Sequence, residues 1–265
     1  MMWVFSLPNW FQFVLVMTVI VGGSVLGLVW LRKPLRRYLD KSLQDHNEAV
    51  GAFVQAFGVF YGITLGLVAV AAWENFEKCN DIVENEATAL NAFTRDVSVF
   101  PEPFRSELGT SLKEYVNYLI DHAWTDSVLN HNTPEALRRI HRIHQRLSEF
   151  EPKTPRETVL MQAALDQHNA WMEKRSTRIA SYDTGLPAIL WWILVIGAIL
   201  NMLILYSLQI EPFSAHLALT GLIGSFIGLM IYLILIMDHP YIGDFRIEAD
   251  AFRLLREYWK EFQGH

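Results

Sequence analysis

The sequence predicts an all-α polytopic membrane protein, with four transmembrane helices and a helical extramembrane region between spans two and three. Three observations predict it. Of the 265 residues, 52% are hydrophobic and only 19% charged, where soluble domains carry about a quarter charged. The apolar residues gather into four blocks, Phe11–Leu31, Val50–Trp73, Leu186–Leu208 and Leu217–Met237, none containing Asp, Glu, Lys or Arg. At about 1.5 Å per helical residue, each can cross a hydrocarbon layer of about 30 Å. No stretch alternates apolar and polar residues as a half-buried strand does. The expected organisation is therefore a first transmembrane pair in 1–73 (spans about 11–31 and 50–73), a helical extramembrane region in 74–185, a second pair in 186–237 and an amphipathic tail in 238–265.

The first block reads as a span rather than a secretory signal. It lacks a basic leader, its apolar part is long, and no small-residue cleavage site follows. Arg32, Lys33, Arg36, Arg37 and Lys41 crowd against its end, and short basic loops favour the cytoplasm. With an uncharged MMWVFSLPNW before it, the N-terminus is expected outside and residues 32–49 inside. Lys174, Arg175, Arg178 and Arg246 flank spans on the opposite side and weigh against this.

Span two is expected to continue past Trp73 without a break, because ENFEKCNDIVENEATALNAFTRDVSVF holds no Gly or Pro before Pro101 and Pro103. Phe76, Ile82, Val83, Leu90 and Phe93 recur along it at helical spacing. A second extramembrane helix is expected over about Phe104–Leu129. A third starts at Thr133 with Pro134 in its first turn, and a fourth at Thr154, where Pro155 and Glu157 add a capping box; it should run to about Tyr182. Gly185 and Pro187 then mark the joint to span three.

Within span two, Gly58, Gly62 and Gly66 stand four apart on one face, and Gly51 and Gln55 extend the stripe toward the helix start. Small residues at this spacing let backbones approach closely. The stripe can pack inside one subunit, or it can face a subunit interface or a pore; Phe53, Phe57 and Phe60 lie on neighbouring faces, and apolar constrictions gate ions by dewetting. Gly23/Gly27 and Gly224/Gly228 repeat the device weakly. Gln55 and Asn201, uncharged, are expected to bond between helices, and the absence of acidic residues from every span argues against a proton-coupled pump.

The last span stops at MDHPYIGDFRIEADAF. Pro240 disfavours helix at His239, and Gly243 permits a turn. Asp244 and Arg246 stand close enough in sequence to pair with each other or with Asp238. Asp238, Pro240, Tyr241, Gly243 and Arg246 thus form a membrane-exit motif: either a capped helix end or the polar mouth of a permeation path. Ile247, Phe252, Leu254, Leu255 and Trp259 predict a final amphipathic helix.

Catalytic signals are absent: there is no phosphate-binding glycine loop, nucleophile elbow or HExxH. A single cysteine, Cys79, excludes an intrachain disulfide framework. His141 and His144 can share a metal at their i,i+3 spacing, but Arg138, Arg139, Arg142, Arg146 and Arg156 flank them and disfavour a cation. His168 and Glu86 have no recognisable second ligand. No enzyme activity, cofactor, metal or nucleic-acid partner is expected.

Residues 46–90, HNEAVGAFVQAFGVFYGITLGLVAVAAWENFEKCNDIVENEATAL, and the terminal LIMDHPYIGDFRI resemble the bestrophin-like family of small bacterial membrane proteins. The family's Asp-x-Pro-[Phe/Tyr]-x-Gly motif falls on Asp238, Pro240, Tyr241 and Gly243. Its Val-Gly…Gly-Val-x-Tyr pattern falls on Val50, Gly51, Gly58, Val59 and Tyr61, its Trp-Glu on Trp73-Glu74 and its Glu-Ala on Glu86-Ala87. The resemblance implies a bacterial inner membrane and, through bestrophins, a pentameric anion channel with long helices projecting from the membrane. The acidic calcium clasp of the animal channels has no counterpart that can be placed on this chain. Two functions are therefore expected to compete. One is an oligomeric, anion-conducting channel with span two lining the pore, its partners the lipid bilayer, further copies of itself and an inorganic anion. The other is a membrane-anchored sensor or scaffold whose helical extramembrane region binds a partner.

Overall fold

The computed structural model describes residues 8–38, 43–124 and 133–262, and every regular element among them is helical. The helices are α1 (Asn9–Tyr38), α2 (Leu43–Val97), α3 (Phe104–Tyr118, followed by one π turn, Leu119–Ala123), α4 (Pro134–Glu149), α5 (Pro155–Ser181), α6 (Ala188–Ser207), α7 (Phe213–Met237) and α8 (Asp250–Phe262). Four of them contain stretches long and apolar enough to span a membrane: Asn9–Leu35, Asn47–Val97, Ala188–Ser207 and Phe213–Met237. The expected end of the second extramembrane helix, residues 125–129, and residues 39–42 of the basic loop, Lys41 included, lie outside the described residues.

The chain forms two compact units, Met1–Phe76 with Gly185–Phe245 and Glu77–Thr184 with Arg246–His265. The first holds the apolar helices. Leu28, Leu65, Val68, Leu194, Leu205, Ile227 and Ile234 make its buried centre. Because lipid is as apolar as leucine, helices there associate by close packing and hydrogen bonds rather than by a hydrophobic drive. Both devices are present. A Cβ added at Gly224 would lie 3.0 Å from Ser24 Oγ, and one at Gly228 2.9 Å from Met17 Sδ, so α7 approaches α1 through glycine. Tyr206 Oη donates to the Ser24 carbonyl at 2.7 Å, binding α6 to α1. Tyr61 Oη donates to the Leu194 carbonyl at 2.9 Å, binding α2 to α6. Outward, Trp10 and Trp30 are largely exposed. Twenty residues of helix separate them, about 30 Å, the spacing of the two water–lipid boundaries where tryptophan concentrates.

At one end of this unit Arg32 pairs with Glu211 at 3.1 Å and stacks 4.4 Å over the Phe213 ring, while the Asn47 amide bonds the Gln209 backbone in both directions. Helix α7 begins earlier than the apolar block suggested. His216 therefore falls in its second turn, fully buried, with Nε2 3.2 Å from the Leu205 carbonyl.

The second unit packs α3, α4, α5 and α8 around the later part of α2. That part buries Cys79, Val83, Glu86, Leu90, Phe93 and Val97, a spacing of three and four that aligns them on one face. Ile82 is only half buried, and Leu254 of α8 points outward beside the buried Phe252, Leu255 and Trp259. Caps set the helix starts. Thr133 Oγ1 accepts from the Ala136 amide and Thr154 Oγ1 from the Glu157 amide, each at 3.2 Å, with a proline opening the first turn. Glu157 reaches back one residue further than a capping box requires, to the Lys153 amide at 2.6 Å.

Candidate functional site

Among the described residues, no side chain packs closely on the glycine stripe of α2. An added Cβ at Gly51, Gly58, Gly62 or Gly66 would meet nothing within 4 Å. Phe53, Phe57 and Phe60 are exposed, Phe60 by 71%, and Gln55 is exposed as well. The close approaches lie elsewhere: Gly27 against the Tyr206 hydroxyl, Gly197 against the Tyr61 ring, Gly224 and Gly228 against α1. Tyr61, in the sequence only one letter of a pattern, clamps α2 to α6 from a neighbouring face of the helix. Asn201 also departs from expectation, since its amide donates to Gly197 of its own helix at 3.2 Å.

The exit motif is a closed structure. Asp238 caps α7, and its carboxylate accepts the Leu186 amide and, at 3.1 Å, the Trp191 indole. It thus binds the last turn of α7 to the start of α6. A Cβ on Gly185 would lie 3.1 Å from Asp238 Oδ1, which explains a glycine there. Asp244 does not join it, accepting instead the Asn9 amide at 2.9 Å. Pro240 and Tyr241 are buried, and Gly243 takes φ 87°, a left-handed conformation that suits glycine. Arg246, half buried, opens the C-terminal part of the second unit. Asp238 thus caps and braces this helix end.

A third cluster was not foreseen. Glu86 of α2 and Arg178 of α5, with side chains 0% and 3% exposed, form a forked ion pair in the middle of the second unit. Arg178 also donates to the Tyr182 hydroxyl at 3.2 Å and lies 5.2 Å over the Trp124 ring. Tyr115, fully buried nearby, has its hydroxyl pKa pushed up to about 12, first by burial and then by the Glu86 charge. Arg175, the second buried guanidinium of α5, shares this interior. Glu86 is thus partnered by a cation 92 residues away in sequence. Next to the ion-pair cluster, His168 sits edge-on to Phe93 and Trp171 and 5.3 Å from the His144 ring; burial, then His144, holds its pKa below the usual imidazole value. Among the described residues, no three His, Cys, Asp or Glu side chains converge as for a metal.

The family model of the bestrophin-like domain matches residues 18–252. The fold is similar to the crystal structure of a bacterial bestrophin homologue from Klebsiella pneumoniae, at 13% identity and TM-score 0.66 over 95% of this chain and 98% of that one. A point variant of that homologue gives TM-score 0.66 at 13% identity over 96% of this chain and all of the other. A further crystal structure, described as a membrane protein variant, gives TM-score 0.63 at 11% identity over 96% and 99% of the two chains. No curated protein matches the sequence. Identities this low show a shared fold and nothing finer, while the domain match spans most of the chain: it belongs to the bestrophin-like family.

Proposed function

We propose that this membrane protein is a homo-oligomeric ion channel that conducts inorganic anions, with α2 lining its pore. One observation carries the reading: the Gly51, Gly58, Gly62 and Gly66 face of α2 and, on the other side of the helix, Phe53, Phe57 and Phe60 are left uncovered by the other described residues. A glycine face lets several copies bring their α2 helices close together, and Phe53, Phe57 and Phe60, half a turn round the helix from it, form a separate exposed apolar face that supplies a constriction. Membership of the bestrophin-like family supports the same reading, since bestrophins are anion channels. The residues between α2 and α6 are, on this proposal, the extramembrane part of each subunit.

Purified protein in liposomes is expected to pass chloride, and Phe57→Ala or Phe60→Ala to change that flux several-fold. Liposomes no leakier than empty ones, over a range of pH and calcium, overturn the proposal. In the membrane, we propose residues 32–49 on the cytoplasmic side, on the strength of Arg32, Lys33, Arg36, Arg37 and Lys41. A Ser42→Cys variant, with Cys79 replaced by serine, is then labelled by an impermeant thiol reagent only after cells are opened. Labelling of intact cells reverses the orientation.

A second reading keeps the spans as an anchor for a partner-binding region. It is favoured by a cleft of about 540 Å³ in the second unit, lined by Glu102, Phe104, Glu107, Arg146, Phe150 and Lys153 among others. Copurification of a protein lost on Phe104→Ala and Phe150→Ala, in liposomes without flux, would favour it.

A further inference from the structure

His168 is a buried imidazole in search of a partner. It is 4% exposed, and neither ring nitrogen makes a hydrogen bond of acceptable geometry; the Asn169 side chain lies near but outside it. An unpaired buried polar group costs about 1–3 kcal/mol, so such groups call for an explanation. Two of its ring neighbours, Phe93 and Trp171, offer no acceptor. The third ring is His144 of α4, exposed to solvent, with centroids 5.3 Å apart and planes tilted by 38°.

That distance has a chemical meaning. Two imidazoles holding one tetrahedral ion through nitrogens at about 2.0–2.1 Å keep their ring centroids about 5.2 Å apart. The pair on α4 and α5 stands at that separation, which ordinary ring contacts share; what sets it apart is that both nitrogens of the buried His168 lack a hydrogen-bond partner of acceptable geometry. Four of the five arginines that argue against a cation in the sequence are paired in the fold, sharing three carboxylates. Arg138 pairs with Glu135, Arg139 with Glu135 and Glu114, Arg142 with Glu114, and Arg146 with Glu107. Three carboxylates thus offset most of the charge of these four arginines.

We propose that His144 and His168 bind a single imidazole-seeking transition-metal ion, of the Zn²⁺ or Cu²⁺ class, which ties α4 to α5. No third protein ligand joins them among the described residues, so water completes the coordination and the affinity is modest. Two neutral nitrogens and no carboxylate also select against Ca²⁺ and Mg²⁺, which require oxygen ligands. His141, although three residues from His144, has no part in the site.

The test uses the full chain in detergent, with any polyhistidine tag removed. Zn²⁺ titrated by calorimetry should saturate at one ion per chain. His144→Ala, a change at an exposed position, should weaken that binding at least about tenfold, about 1.4 kcal/mol, and leave the metal-free melting curve in place. His168→Asn should weaken it equally, and His141→Ala should leave it unchanged. With Cu²⁺, the electron paramagnetic resonance spectrum should show two coupled imidazole nitrogens in the parent and one in His144→Ala. Absence of saturable binding up to about millimolar Zn²⁺, or His144→Ala binding as the parent does, overturns the proposal. So does an equal loss in His141→Ala, which would place the ion on the face of α4 alone.

Discussion

Replacing Glu86 by glutamine removes a charge and almost no volume. In the folded chain it leaves the Arg178 guanidinium 3% exposed with its carboxylate gone. The Tyr182 hydroxyl and the Trp124 face remain beside Arg178, but neither carries a countercharge. Breaking a buried ion pair from one side costs about 3–5 kcal/mol, because the surviving ion has lost water and partner together. Replacing both members with uncharged side chains costs far less. Glu86→Gln should therefore lower stability by about 3–5 kcal/mol, and Glu86→Gln/Arg178→Met should recover at least half of it. For a chain of this size the single variant should melt roughly 6 to 20 °C lower. Thermal unfolding in detergent, followed through the buried Trp124 and Trp171, reads the second unit directly. A Glu86→Gln melt within about 1 kcal/mol of the parent, or a double variant no better than the sum of the two singles, would refute the reasoning, since either outcome means that the pair is not coupled.

Three further outcomes follow from the same geometry. Gly197→Ala places a methyl 2.6 Å from the Tyr61 ring and should cost about 1–3 kcal/mol, whereas Gly58→Ala, with open space around it, should change the stability of the single chain by less than about 0.5 kcal/mol; equal effects on the melting curve would contradict the packing described. Asp238→Ala strips the acceptor from the Leu186 amide and the Trp191 indole and should destabilise by about 3 kcal/mol, while Asp238→Asn, which retains one acceptor oxygen, should lose about half as much in the same assay. The folded Tyr115 hydroxyl has its pKa raised from 10.0 to about 12, so its neutral form stabilises the fold fully below pH 10 and that contribution fades as pH climbs from about 10 to about 12. The loss is about 2–3 kcal/mol. Denaturant titrations across this window should flatten in Tyr115→Phe, and an unchanged alkaline slope would show that the ring is not held as described.

What could be read in advance was whatever depends on near neighbours in the chain. The four apolar runs correspond to the apolar parts of α1, α2, α6 and α7, because spanning length and charge exclusion are local properties. Helix α2 continues through Trp73, as the lack of Gly and Pro required. Thr133 and Thr154 cap their helices for equally local reasons. What could not be read was partnership. Glu86 and Arg178 look like surface charges on amphipathic helices until the fold brings them together across 92 residues. The glycines of α2 and the Gly224/Gly228 pair of α7 share one spacing in the sequence, yet only the pair meets neighbouring side chains within 4 Å among the described residues. Asp238 was legible as the end of a span, but its partners, Leu186 and Trp191, are carried by another helix. His144 was weighed against His141 three residues away, whereas the ring it approaches belongs to α5. A period says which face a residue shares and nothing about what that face will meet.

The brace at Asp238 bears on how the protein enters the bilayer. The backbone amide of Leu186 and the indole of Trp191 are synthesised first, and the oxygens that satisfy them follow 52 and 47 residues later. Until α7 has been delivered, the leading end of α6 carries two unmet donors at the edge of the lipid. The two helices are thus best released from the insertion machinery as one hairpin, closed by a single carboxylate when translation reaches the end of α7.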